Sequence, residues 1–118
     1  MTQFSVTQSY NEAFSSDVLQ IQGELDVHTC PMVKEKAEVI LDASPSKLVL
    51  DLDQTSYIDS TGLGVIVYMA KQMADQSGTV YVLTSQPQIR KVYEVSGIGR
   101  QNIHLVADQE ELLRVSTV

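Results

Sequence analysis

Two hydroxyls stand side by side at Ser60-Thr61, behind the carboxylate of Asp59 and ahead of Gly62-Leu63-Gly64. A serine at a strand-to-helix turn can be a hydrolase nucleophile. The nucleophile elbow, however, needs glycine two residues before the serine to allow its strained turn, and Ile58 holds that place. Neither His28 nor His104 has an obvious route to Ser60 as a base, so self-activated catalysis fits poorly. The Gly62-Leu63-Gly64 pair could open a phosphate-binding helix, but no third glycine follows in register and no Walker lysine is present. Zinc binding fails on ligand number: His28 and Cys30 lie two apart, His104 is distant, and a structural site wants four ligands at close spacing. No metal is expected. One chemistry remains, that of an exposed hydroxyl at a helix N-terminus, which another enzyme can phosphorylate and whose phosphate the helix amides can hold. A plainer role stands beside it: Asp59 or Ser60 as the helix N-cap, with the glycines permitting tight packing.

The rest of the chain limits the partners. It has 118 residues and a net charge of −7, with 43% hydrophobic residues, enough for one core-forming domain over 1–118. So acidic a protein is repelled by phosphate backbones and anionic lipid, which argues against nucleic acid and membrane surfaces. A single Cys excludes an internal disulfide. The N-terminus has no basic segment followed by a long apolar one, and the longest apolar run, Val65 to Ala70, is far short of the ~20 residues a membrane span needs. A cytoplasmic location is the expectation.

The pattern of elements must place the hydroxyls. Phe4 to Val6 reads as a first strand, Asn11 to Asp17 as a loop, and Val18 to Gly23 alternates as a half-buried strand. Thr29 can cap a helix running to Leu41, with Pro31 in its first turn. Leu48 to Leu52 has the branched apolar run of a central strand. Asp53 to Asp59 reads as a connector, and Ser60 to Met73 as a strongly apolar helix. On it Leu63, Ile66, Val67, Ala70 and Met73 should face the sheet, leaving Val65, Tyr68 and Met69 as surplus apolar surface. A strand at Val80 to Leu83, a helix from Pro87 to Ser96, a strand at Ile103 to Val106 and a helix from Asp108 to Val115 complete the chain. The expected fold is a single α/β domain: a mostly parallel sheet, an N-terminal edge hairpin, and about four helices mainly on one face.

The segment Ser56-Tyr57-Ile58-Asp59-Ser60-Thr61-Gly62-Leu63-Gly64-Val65 closely resembles the signature of the STAS domain of bacterial anti-sigma factor antagonists. Gly23 to Pro31 is similar to that family's second motif, and Ile89 to Gly97 to its third helix and terminating glycine. The likeness spans nearly the whole chain in the right order, and is greatest to the antagonist of the general-stress sigma factor, then to the sporulation one. Tyr93 stands where a Phe is common, and the loop from Gln8 to Asp17 is somewhat long.

The resemblance implies a regulator, not an enzyme. Ser60 would be phosphorylated by an anti-sigma factor that is also a serine kinase, and dephosphorylated by a metal-dependent, PP2C-type serine phosphatase. The unphosphorylated form would bind the anti-sigma factor and free the sigma factor. Asp26, Asp59 and Thr61 would support the switch. Thr29, Gly62, Leu63 and Gly64 would meet the partner, the glycines by letting its backbone approach. The protein would carry no cofactor, ATP and Mg belonging to the kinase, and would be a monomer or weak dimer when free. A stressosome-type scaffold or an accessory STAS subunit of a transporter is the alternative, weakened by the lack of an added N-terminal domain or membrane segment.

Overall fold

The computed structural model describes residues 3–97 and 102–116. The elements run β1 (Ser5–Asn11), β2 (Ser16–Leu25), α1 (Cys30–Leu41), β3 (Lys47–Asp51), β4 (Thr55–Ile58), α2 (Ser60–Ala74), β5 (Thr79–Leu83), α3 (Pro87–Val95), β6 (Ile103–Val106) and α4 (Gln109–Ser116). The sheet has six strands in the order β1-β2-β3-β5-β6, with β4 pairing to β2 off that path. Among the described residues only the β1–β2 pair is antiparallel. The α/β class, the mainly parallel sheet and the edge hairpin are as the sequence implies.

Side-chain alternation divides the sheet into two faces. Leu48, Leu50, Val80 and Val82 enter the larger cluster, where residues of α1, α2 and α3 join them. Val49, Tyr81 and Leu83, pointing the other way, meet Phe14, Val106 and Leu112 in a smaller one. Helix α4 therefore serves the second face, and Phe14 of the hairpin turn closes its other end.

Two segments differ from expectation. The hairpin is longer and its loop tighter: β1 continues to Asn11 and β2 starts at Ser16. Its turn is held by the Asn11 side chain accepting from the Ala13 amide at 2.9 Å and by buried Phe14. The other is β4, read as connector. Thr55-Ser56-Tyr57-Ile58 has no run of branched apolar residues and takes its strand form from its partners. It pairs in parallel with Gly23 to Leu25, the Thr55 hydroxyl donates to the Ile21 carbonyl at 2.8 Å, and the Gln86 amide donates to the carbonyls of Asp53 and Thr55 at 2.6 and 2.7 Å.

Helix α2 is also buried more widely than a single stripe. Val65 and Met69, expected as surplus, are buried, whereas Leu63 and Val67 are half-buried. The helix is flanked by α1, β4 and β5, so its apolar excess goes into the core and not onto a surface. Tyr68 alone of the expected surplus stays half-buried, its ring under the Lys34 ammonium at 4.5 Å and its hydroxyl 3.3 Å from the Glu38 carboxylate.

Candidate functional site

Parallel pairing of β2 and β4 sets Leu25 beside Ile58, so both strands leave the sheet at neighbouring points. Beyond Leu25 runs the loop from Asp26 to Thr29, and beyond Ile58 lie Asp59 and Ser60. The Asp59 amide donates to the Leu25 carbonyl at 3.3 Å and ties the two exits together. The two stretches singled out in the sequence thus form one surface. Gly23 makes the bend possible: its φ is +99°, and a Cβ there would stand 3.1 Å from the Phe4 Cα. The β2–β4 register shifts at this point, between Gly23 and Glu24.

Asp59, in extended conformation, is the N-cap of α2 and accepts from the Gly62 amide at 2.9 Å. Its carbonyl accepts from the Leu63 amide at 3.0 Å. These bonds occupy the third and fourth amides of the helix and leave those of Ser60 and Thr61 at its open end. Ser60 and Thr61 are exposed, and so is Gly64 one turn on. A phosphate on Ser60 would meet the positive end of the helix dipole there.

Gly62 corrects an expectation. It is buried, and a Cβ would stand 2.8 Å from the Leu25 carbonyl oxygen and 2.8 Å from Ile58 Cγ1. What approaches Gly62 is the chain's own β2, so it seats the helix and is closed to a partner. Gly64 is the reverse, with open space where its side chain would be. Of the two glycines, Gly64 alone has room for the approach of another molecule.

The loop before α1 is built on itself. Asp26 Oδ1 accepts from the amides of His28 and Thr29 at 2.9 and 3.1 Å. The Thr29 hydroxyl donates to the Glu24 carbonyl at 2.7 Å and accepts from the Asp26 amide at 2.9 Å. Thr29 stands at the N-cap of α1 but makes no side-chain cap bond; its hydroxyl locks the turn instead. Both carboxylates of the site are thus engaged with backbone amides. Buried Cys30, opening α1, reports their proximity. Burial, then the Asp59 charge, then the Asp26 charge, push its thiol up from 9.0 to about 11. His104, the remaining metal candidate of the sequence, stacks on Tyr81 in the second face with ring centroids 5.5 Å apart. Among the described residues no three His, Cys, Asp or Glu side chains group as metal ligands.

The STAS domain model matches residues 11–112, most of the chain. The chain belongs to the STAS domain family. An anti-sigma-B factor antagonist of Listeria monocytogenes is 33% identical over 79 residues, covering 67% of this chain and 69% of that protein. One of Staphylococcus aureus is 30% identical over 80 residues, covering 68% and 74%. An anti-sigma factor antagonist from Mycobacterium paratuberculosis superposes with a TM-score of 0.85 at 19% identity, over 98% of this chain and 96% of that one. The Bacillus cell fate determinant SpoIIAA in its phosphorylated form gives 0.67 at 23%, over 96% and 99%. These two share the fold. No helix among the described residues of this STAS domain is long and apolar enough to cross a membrane.

Three apolar side chains near the STAS motif escaped the sequence reading. Val27, Met32 and Tyr57 are 58%, 46% and 51% exposed, on the loop after β2, the first turn of α1 and strand β4. The one signal for them was an apolar residue at a position whose neighbours, Leu25, Val33 and Ile58, already fill the core.

Proposed function

We propose that this STAS domain is an anti-sigma factor antagonist in a phosphorylation-controlled partner switch. Unphosphorylated, it binds an anti-sigma factor that is also a serine kinase and so frees the sigma factor. That kinase, using its own ATP and Mg, phosphorylates Ser60 and ends the binding, and a PP2C-type serine phosphatase restores it. The protein itself acts as a cytoplasmic binding partner, without cofactor or catalysis of its own, and when free is a monomer or weak dimer.

The observation that carries this reading is the exposed Ser60 hydroxyl at the open end of α2, beside the Asp26 loop. The names of the Listeria and Staphylococcus relatives support the antagonist role. Ser60, Thr61 and Gly64 with half-buried Leu63, and exposed Val27, Met32 and Tyr57 on the neighbouring loop, α1 and β4, offer polar and apolar surface suited to a protein partner. Thr29 and Gly62 shape this surface from beneath.

Electrostatics supplies the switch. Phosphorylation adds about −1.5 to −2 charges next to Asp59 and near Asp26. An interface that closes over Leu63 would then have to desolvate a dianion among carboxylates. A loss of only about 3 kcal/mol weakens binding by roughly a hundredfold. The chain need not refold, because the phosphate rests on amides already free at the helix end. Calorimetric titration of the anti-sigma factor with unmodified and with phosphorylated protein tests the reading: tight binding by the first and at least a hundredfold weaker binding by the second are expected. Equal affinity for both forms would overturn it.

A further inference from the structure

Strand β1 forms one edge of the sheet, and no described strand pairs with its outer side. Soluble proteins guard such an edge with charge, proline, a bulge or a short strand. Here Ser5-Val6-Thr7-Gln8-Ser9-Tyr10-Asn11 runs seven residues with none of these. Its register with β2 is unbroken from Ser5↔Gln22 to Asn11↔Ser16, so no bulge turns the edge away. The opposite edge differs: β6 has only four residues and α4 packs against it.

We infer that two copies of this chain associate by antiparallel pairing of β1 with β1 about a twofold axis at Gln8. Charge leaves this edge open to a second copy. The molecule carries −7 overall, so most meetings of two copies bring acidic surfaces together, whereas β1 has no ionisable side chain except the Tyr10 phenol. The side chains match as well. Pairing about Gln8 sets Val6 opposite the partner's Tyr10, and Thr7 opposite the partner's Ser9. Aromatic against β-branched and hydroxyl against hydroxyl are both favourable cross-strand pairs. Val6 already packs against the larger core, half-buried, and Tyr10, 60% exposed, lies four residues on along the same side of the strand. The pairing would lay each tyrosine over the other copy's valine. A single strand edge covers less than a standard interface of about 1,200–2,000 Å², so the association is weak and reversible.

Sedimentation velocity from micromolar to millimolar concentration tests this. The wild type should shift reversibly from monomer to dimer. Gln8 is exposed, and Gln8→Lys sets two like charges opposite each other at the axis, which should weaken association about fivefold. An equimolar mixture of Gln8→Lys and Gln8→Glu should restore it. In a mixed-label wild-type sample, cross-chain NOEs should join Val6 to Tyr10. A wild type monomeric throughout would overturn the inference, as expected if the edge serves a different protein. Dimers that ignore Gln8→Lys, or that lack the Val6–Tyr10 NOE, would place the contact on another face and overturn it equally.

Discussion

The Leu25 carbonyl oxygen lies 2.8 Å from where a Cβ on residue 62 would stand, so the start of α2 is seated directly on the backbone of β2. Close seating fixes how far the Ser60 hydroxyl projects from the sheet. Gly62→Ala must push the helix off β2, because a backbone oxygen, which cannot swing aside as a side chain can, stands in the way beside Ile58 Cγ1. A loss of about 1–3 kcal/mol is expected, read from urea unfolding. Gly64→Ala meets open space and adds a better helix former, so it should gain about 0.5–1 kcal/mol while weakening anti-sigma binding. Equal stability of the two variants would contradict this geometry.

Asp26 has two separable roles. Its Oδ1 caps the turn through the amides of His28 and Thr29, and its charge, with that of Asp59, is felt at Cys30. Asp26→Asn keeps an acceptor oxygen and removes the charge. It should melt within a degree or two of wild type and alter the rate of Ser60 phosphorylation. Asp26→Ala removes both and should cost about 1 kcal/mol in thermal or urea unfolding. Normal phosphorylation kinetics in Asp26→Asn would restrict Asp26 to the turn.

Cys30 gives a pH signature of the two carboxylates. Burial, then Asp59 and Asp26, raise its thiol from 9.0 in the unfolded chain to about 11 in the folded one. The unfolded thiol therefore releases its proton first. The stability this contributes is full below pH 9.0 and is lost as the pH rises towards about 11. Alkylation by iodoacetamide should follow the same high titration, and Asp59→Asn should move it downward. A midpoint at the ordinary thiol value would contradict the placement of these groups.

Ser60→Asp should mimic the phosphorylated state only in part. A carboxylate brings one charge and two acceptor oxygens, where phosphate brings nearly two charges and three oxygens. Calorimetry with the anti-sigma factor should show affinity between those of the unmodified and phosphorylated proteins. Ser60→Ala should bind about as well as wild type. Wild-type affinity in Ser60→Asp would remove the electrostatic explanation of the switch.

Elements carrying their own periodicity were legible in the sequence. The branched run at Leu48 to Leu52, the alternation through Leu19 and Ile21, and the apolar helix from Ser60 each state their burial locally. Strand β4 was not legible, because its form depends on Gly23 to Leu25 and on the Gln86 amide, both more than 30 positions away. The hairpin differs for a related reason: polar Gln8 to Tyr10 reads as loop, and only pairing with β2 makes it strand. At the site, residue types pointed to Ser60 and to the Asp26 loop. They could not divide labour between the two glycines, since only the position of Leu25 shows that Gly62 faces inward and Gly64 outward.

The most direct measurement is phosphopeptide mapping by mass spectrometry after incubation with the candidate anti-sigma kinase and ATP-Mg. A single phosphate on Ser60 in the wild type, and none in Ser60→Ala, is the expected result. Modification confined to Thr61 or to a residue outside the start of α2 would contradict the central role of Ser60.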